Sequence, residues 1–206
     1  MSNAKPFPSD VAFSDAVKAI QHRKGSRHAY ARMETASGWE TEITPDLAAL
    51  VAAQTSVFLA TANAAGQPYI QHRGGPPGFL HVLDANTIGF ADFTGNRQYI
   101  TLGNLVENPK VHLFLIDYAQ RLRTKIWGEA TVVADDPALL SALTPRDYKA
   151  RPEQAILIRV TAWDANCPQH IPQRFEAADV KAVLAERDRR IAELEAQLED
   201  ARKSNA

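Results

Sequence analysis

The chain has 206 residues, of which 45% are hydrophobic and 23% are charged, and its formal net charge is −1. This length corresponds to one ordinary domain with an additional segment, and the composition excludes a disordered or collagen-like protein. The nearly balanced charge makes neither nucleic acid nor an anionic membrane a default partner. The single cysteine, Cys167, cannot form an intrachain disulfide or a thiolate cluster, so we expect a structural thiol in a reducing compartment.

The sequence shows neither a membrane anchor nor an export signal. Hydrophobic runs such as residues 111–116, which His112 interrupts, are far shorter than the roughly 20 apolar residues of a spanning helix. Residues 1–10 lack the basic, apolar and small-residue regions of a secretory signal. We therefore expect a cytoplasmic protein with no membrane partner.

The first of three predicted segments, residues 1–43, combines a helix with a wrapping stretch. Apolar residues at helical spacing follow the potential cap Ser9-Asp10 and predict a short helix over residues 10–22. Residues 23–42 are basic and polar with little periodicity, so we expect an irregular lead-in that wraps the core.

The second segment, residues 44–175, begins with a helix and continues with short runs rich in β-branched and aromatic residues. Thr44 and Pro45 provide an N-cap and a first-turn proline for a helix to about Ala53. The predicted strands are Thr55–Ala62, Gln67–His72, Phe79–Leu83, Thr87–Ala91, Val111–Tyr118, Leu122–Val133 and Ala155–Trp163. Helices are predicted between them at Arg97–Val106 and Pro137–Leu143. The tight turns between the strands favour antiparallel pairing, and closure of six or seven strands into a small barrel removes exposed edges. The predicted class is therefore mainly β (α+β).

The third segment, residues 176–206, is predicted to be a long amphipathic helix. Its apolar positions follow a heptad pattern and are Val180, Leu184, Ile191, Leu194 and Leu198, with Arg187 at the remaining seam position. Two interpretations remain open: a solvated helix that packs on its own barrel, and a short coiled coil between two copies. Arg187 weakens the second interpretation, although its aliphatic stem can lie along an apolar surface.

Two arginines beside glycine-containing turns indicate an anion-binding site. Arg73 ends a strand and is followed by Gly74-Gly75, where backbone amides can approach an anion closely. Arg97 follows Gly95-Asn96 at a strand-to-helix junction, whose free amides favour negative charge. Guanidinium groups match the oxygens of phosphate. From the residues alone, ordinary loops with solvated arginines remain the alternative.

Other classes of site have little support. The six histidines lack the spacing of metal ligands, so we expect no metal. The dinucleotide fingerprint is also absent, so a nicotinamide cofactor such as NAD(P)H would bind only transiently.

Three stretches carry a resemblance to a known family: ATANAAGQPYIQHRGGPPGFLHVLD, GNRQYITLGNLVENP and RTKIWGEA. From about Leu47 to Arg174 the chain resembles the pyridoxamine 5'-phosphate oxidase related flavoproteins, which are FMN-binding split β-barrels. The resemblance implies a split barrel that binds FMN, forms a homodimer with the flavin at the interface, and acts as an oxidoreductase on a small molecule.

The resemblance also assigns the phosphate site residue by residue. Asn96 and Arg97 stand where the family holds the flavin phosphate, and Arg73 with Gly74 would approach the phosphate or the edge of the ring.

The flavin ring would lie against strand backbone at Gln71 and His72, and at the strand end that contains Ala91 and Asp92. In proteins of this family another strand also contacts the flavin, often across the dimer interface. Its residues here are Arg123, at the family's glutamine position, and Trp127, expected as a flavin neighbour. A cation at Arg123 would stabilise negative charge near the pyrimidine end of the ring and raise the reduction potential.

The chain departs from the family at its substrate signature. True pyridoxamine phosphate oxidases end with a short Arg-x-His motif for the substrate phosphate, and here the corresponding end reads CPQHIPQRF. His170 and Arg174 are candidates for a substrate site, with a proline-rigid connector as the alternative. The sequence therefore argues against vitamin B6 oxidation and indicates a distinct branch.

Three functional hypotheses follow. The leading one is an FMN-dependent oxidoreductase. The others are a flavin, haem or deazaflavin binding or redox-sensing module without turnover, and a structural dimer whose C-terminal helix recruits a partner.

Overall fold

A computed structural model of the chain describes residues 7–166 and 168–204, so the thiol expected at Cys167 lies outside the described residues. The described chain forms two compact units. The first comprises residues 7–116 and 123–166, and the second comprises residues 117–122 and 168–204.

Helices precede, interrupt and follow the strands. A 3-10 turn at Pro8–Val11 is followed by α1 (Asp15–Lys24), α2 (Arg27–Ala36), α3 (Pro45–Ala53), α4 (Ile100–Glu107), α5 (Pro137–Leu143) and α6 (Ala177–Ser204). The side chains of Thr44 and Asp136 accept hydrogen bonds from the backbone amides of the first turns of α3 and α5. Each of these helices also has proline in its first turn. The two helices predicted at these positions are therefore confirmed.

The strands are β1 (Ser56–Ala62), β2 (Pro68–Gly74), β3 (His81–Val82), β4 (Thr87–Phe93), β5 (Lys110–Asp117), β6 (Leu122–Val133) and β7 (Pro152–Asn166). They form one antiparallel sheet in the order β2-β1-β5-β6-β7-β4-β3. All seven predicted strands are present, so the predicted mainly β (α+β) class and strand number are confirmed.

Alternation along the strands separates a core face from an outward face. On β1, Val57 and Leu59 are fully buried, whereas the side chains between them are only partly buried. Close strand contact also constrains β6, because a Cβ on Gly128 would lie 2.6 Å from the backbone oxygen of Arg159. Gly128 therefore allows the bulge where β6 meets β7.

Helix α2 corrects the prediction of an irregular stretch over residues 23–42. Its buried position is Glu34, which forms an ion pair with Arg27 and accepts a hydrogen bond from Ser9 Oγ at 3.3 Å. The buried residue of α1 is also polar, Gln21, whose side-chain oxygen accepts from Arg27 at 2.8 Å. The contact surface of this helical pair is thus partly polar, and hydrophobic periodicity could not detect it.

The start of α4 was predicted three residues too early. Arg97 and Tyr99 have φ values of 60° and 53°, so the chain is left-handed where the helix was expected to begin. Asn96 Oδ1 accepts from the amide of Gln98 at 3.2 Å, which closes a turn before the helix starts at Ile100.

The prediction of a long C-terminal helix is confirmed by α6. Within residues 7–166 and 168–204, none of the helices is both long and apolar enough to cross a membrane.

Candidate functional site

A pocket of about 400 Å³, open solvent included, lies in the first unit where the ends of β2 and β4 meet the turn that precedes α4. Five of the predicted site residues line it: Gln71, Arg73, Asp92, Asn96 and Arg97. Two arginines that are distant in the sequence therefore converge on one pocket, as the anion-site hypothesis requires.

Arg73 is held in place by an ion pair. Alternation along β2 places Gln71 and Arg73 on the same side of the strand. Arg73 Nη1 donates to Asp92 Oδ1 at 2.5 Å, and Asp92, only 7% exposed, also accepts from Gln154 Nε2 at 3.0 Å. Arg73 Nε is buried and has no hydrogen-bond partner among the residues that the structure describes. The guanidinium is thus fixed but keeps an unused donor.

The turn over residues 94–99 forms the other side of the pocket. Asn96 and Arg97 are exposed. Arg97 and Tyr99 both have a left-handed backbone conformation, and Gln98 lies between them. Turns of this kind can present successive backbone amides to an anion. The turn therefore offers a cation and main-chain donors other than the amides of Thr94 and Gln98, which are already bonded to Arg151 and Asn96.

Helix α4 is tied to β2 and β1 by buried hydrogen bonds. The hydroxyl of Thr101, 3% exposed, donates to Gln71 Oε1 at 2.8 Å, and Asn104 Nδ2 donates to Thr61 Oγ1 at 2.9 Å. These bonds fix the distance between the Arg73 strand and the turn that carries Arg97.

The charges of the pocket nearly balance. Arg73 and Arg97 are accompanied by Asp92 and by Glu153, which accepts from Thr94 Oγ1 at 3.0 Å. Sequence reasoning missed Glu153 and treated Asp92 only as a ring neighbour. No local sequence signal links either carboxylate to the pocket, because their neighbours are remote along the chain.

Three further predicted residues lie next to this pocket without lining it. His72 points to the opposite side of β2, where it forms a 2.8 Å hydrogen bond with Ser56 Oγ and an edge contact with Phe58. A Cβ on Gly74 would lie 2.9 Å from His72 Cε1, so glycine permits close packing there. Ala91 is buried in a small cluster beneath β4.

Arg123 and Trp127 lie on the outward side of β6. Trp127 lines a different pocket, stacks on Trp39 with ring centroids 4.8 Å apart, and makes an edge contact with His112 at 4.8 Å. Burial, and secondarily the charge of Lys125, lowers the pKa of His112. Within one chain, the residues predicted to surround the flavin are thus divided between the Arg73 pocket and an aromatic surface.

His170 and Arg174 belong to the second unit. The guanidinium of Arg174 lies 4.6 Å from the ring centroid of Tyr118, a cation–π contact. The backbone amide of Arg174 also donates to the backbone oxygen of Tyr118 at 3.3 Å. His170 has a φ of 65°. Arg121 Nε donates to the backbone oxygen of Ile171 at 3.1 Å, so this connector is held to the turn between β5 and β6. A substrate role for His170 and Arg174 stays a prediction.

The family model for pyridoxamine 5'-phosphate oxidase matches residues 43–167, more than half of the chain. The chain belongs to the pyridoxamine 5'-phosphate oxidase family. The resemblance seen in the sequence and the split-barrel fold that it implied are therefore confirmed.

The chain is also similar to several solved structures. HupZ of Group A Streptococcus is 21% identical over 65% of this chain and 99% of its own, with a TM-score of 0.50. An FMN-binding protein from Syntrophomonas wolfei is 11% identical over 74% of this chain and 97% of its own, with a TM-score of 0.46. HutZ, a haem storage protein from Vibrio cholerae, is 16% identical over 58% of this chain and 89% of its own, with a TM-score of 0.38. No curated protein matches the chain.

Proposed function

We propose that this member of the pyridoxamine 5'-phosphate oxidase family is an FMN-binding oxidoreductase that acts on a small molecule. The observation that carries the proposal is the convergence of Arg73, Asn96 and Arg97 on one pocket. The family match supports a flavin as the ligand.

The residues present fit a phosphate group. Arg73 retains a buried Nε donor without a partner among the described residues, and Arg97 adds a second guanidinium from the adjoining turn. Because Asp92 already balances Arg73, the positive group left for the phosphate is Arg97, together with the amides of its turn, although Glu153 lies in the same pocket. FMN, when bound, supplies the hydride or electron transfer chemistry.

The chain's own residues position the ligand. Asp92 and Gln154 orient Arg73, and Thr101 orients Gln71 beside it. These groups are partly or fully buried, so they hold the donors in place before a ligand arrives and reduce the ordering that binding requires.

We also propose a homodimer with the flavin at the interface. The outward face of β2, β1 and β5 carries apolar side chains in cross-strand rows, among them Phe58 opposite Phe114 and the 63% exposed Ile70 opposite Ala60. Contiguous exposed apolar surface is typical of protein interfaces. The next strand in the sheet, β6, carries Arg123 on its outward side. The arrangement supports a role for Arg123 at the partner's flavin, where its charge would favour the reduced ring.

The purified protein tests this proposal. We expect a yellow protein with a flavin absorbance spectrum, FMN by mass spectrometry, and bleaching by NAD(P)H or another reductant. Colour that no reductant changes would favour a binding module without turnover, whereas haem or a deazaflavin in the mass spectrum would contradict FMN. A small-molecule substrate and a cytoplasmic location stay predictions.

A further inference from the structure

Helix α6 presents an apolar stripe to solvent. It spans Ala177–Ser204, and none of its residues is buried. The stripe consists of residues that are each 45–53% exposed: Val180, Leu184, Ile191, Leu194 and Leu198. With Arg187 at the remaining position, the stripe follows the alternating spacings of four and three residues that define the a and d positions of a coiled coil.

The charged side chains of α6 pair with each other away from this stripe. Arg189 forms an ion pair with Glu186, and Lys203 Nζ lies 2.7 Å from Glu199 Oε1. In the heptad these residues occupy the outer b, c and f positions. The helix is thus divided into a charged outer side and an apolar seam, which is the pattern of a helix that associates through one face.

The residues that flank the seam favour a parallel partner of the same sequence. In a parallel pair, each g position faces the e position of the following heptad on the other helix. Arg190, which already pairs with Glu193 of its own helix, would then also face the partner's Glu195, and Glu176, just before the helix, would face the partner's Lys181. Both contacts join opposite charges, and the two-fold symmetry doubles each of them.

An antiparallel pair is less favourable. Alignment of the whole seam in that orientation would place Asp188 opposite the partner's Asp188 and Arg190 opposite the partner's Arg190, and among the flanking residues only Lys181 and the partner's Glu195 would join opposite charges. Such like-charge contacts at the seam edge oppose association. We therefore propose that two copies of this chain associate through α6 as a parallel two-stranded coiled coil. Ile191 at a with Leu194 at d is the combination that favours two strands.

Arg187 weakens this arrangement. In a parallel in-register pair it faces the partner's Arg187, so both guanidinium groups must leave the seam while their aliphatic stems cover apolar surface. The seam is therefore weaker than a fully apolar one.

Cysteine cross-linking of the full chain tests the proposal. In a Cys167→Ser background, Ala201→Cys places a thiol at d, where only a parallel in-register pair brings the same position of both copies within disulfide reach. Ala196→Cys, another exposed alanine of the same helix, places the thiol at the outer f position. We expect mild oxidation to convert the Ala201→Cys protein mainly to a disulfide-linked dimer and to leave Ala196→Cys unlinked. Equal linking of the two, or none in either, would overturn the proposal.

A second substitution distinguishes a specific seam from non-specific hydrophobic association. Adding Arg187→Leu to Ala201→Cys should increase the linked fraction because it removes the cation from the seam. Arg189→Leu, on the outer side, should leave that fraction unchanged. Equal increases from both would show non-specific hydrophobic association and would contradict the coiled coil. Neither result depends on flavin binding, so this proposal and the flavoprotein proposal fail separately.

Discussion

The Arg73 pocket and the outward face of β6 both carry residues predicted to contact the flavin, but they are built differently. The pocket is polar, and its Arg73, Asp92 and Gln154 side chains are joined by hydrogen bonds within one chain. The β6 face is aromatic, and Trp127 stacks on Trp39 and makes an edge contact with His112. The pocket brings its phosphate donors together within one chain, whereas the β6 face lies apart from them and contacts a flavin only in the proposed homodimer.

The largest effect should come from removing both guanidinium groups of the pocket. Arg73→Ala combined with Arg97→Ala should weaken FMN binding by about 3 to 6 kcal/mol, because each charge-assisted hydrogen bond contributes about 1.5 to 3 kcal/mol. An FMN titration followed by flavin fluorescence measures this loss, and circular dichroism checks the fold. Arg159→Ala removes an exposed arginine paired with Glu129 and should bind FMN normally. Unchanged FMN affinity in the double variant would contradict the phosphate assignment.

Asp92 should contribute to stability more than any other polar residue of the pocket. Asp92→Asn leaves the partly buried Arg73 without its counter-charge, and loss of one partner of a largely buried ion pair costs up to about 3 kcal/mol. Chemical denaturation measures the free energy of unfolding. Inorganic phosphate should restore part of the loss, since a bound anion replaces the missing charge and stabilises the folded state by mass action. If Asp92→Asn is as stable as the unaltered protein, Asp92 does not hold Arg73.

The apolar outward face of β2, β1 and β5 can be tested through self-association. Ile70→Glu places a charge on the apolar rows, and we expect it to raise the dimer dissociation constant about tenfold or more, a loss of about 1.4 kcal/mol. Combined with Leu194→Glu, which disrupts the α6 seam, it should yield a monomer by light scattering. Val106→Glu alters an 88% exposed valine on α4 and is the matched control. A dimer that persists in the combined variant would exclude the proposed interface.

The sheet was predictable from sequence because its signal is local. β1 alternates buried Val57 and Leu59 with less buried residues, and turn residues separate it from β2, so each strand was visible within a few positions. Helix α2 was not predicted, because its buried residue is Glu34 and its stability depends on a partner from another helix. Polar burial of this kind has no periodic signature.

The site was predictable only in part, for a related reason. The glycine-flanked arginines marked the two walls of the pocket, but the Arg73–Asp92 ion pair forms only when the ends of β2 and β4 come together in the folded sheet. Glu153 enters the pocket from β7 in the same way. A single sequence contains no measure of such long-range pairing, so the balanced charge of the pocket could not be foreseen.

A smaller effect should appear at the left-handed turn. Arg97 has a φ of 60°, a conformation that costs a non-glycine residue about 1 kcal/mol, so Arg97→Gly should stabilise the protein by up to about 1 kcal/mol while weakening FMN binding. Arg97→Ala removes the same charge but keeps the strain and should not stabilise. Thermal unfolding and FMN titration of the two variants separate strain from charge. Equal stability of the two variants would show that the turn is not strained.

The smallest effect concerns His112 on the aromatic face, and it depends on pH. Because burial lowers the pKa of His112 in the folded state, the unfolded chain binds the proton more readily. The stabilising contribution is therefore complete above the ordinary histidine pKa of about 6.5 and decreases as the pH falls below that value. The melting temperature of the unaltered protein should consequently decrease more between pH 7.5 and 5 than that of His112→Asn. His22→Asn, at an exposed position, should retain the full decrease. Parallel pH profiles for His112→Asn and the unaltered protein would show that Trp127 and Lys125 do not hold His112 in its neutral form.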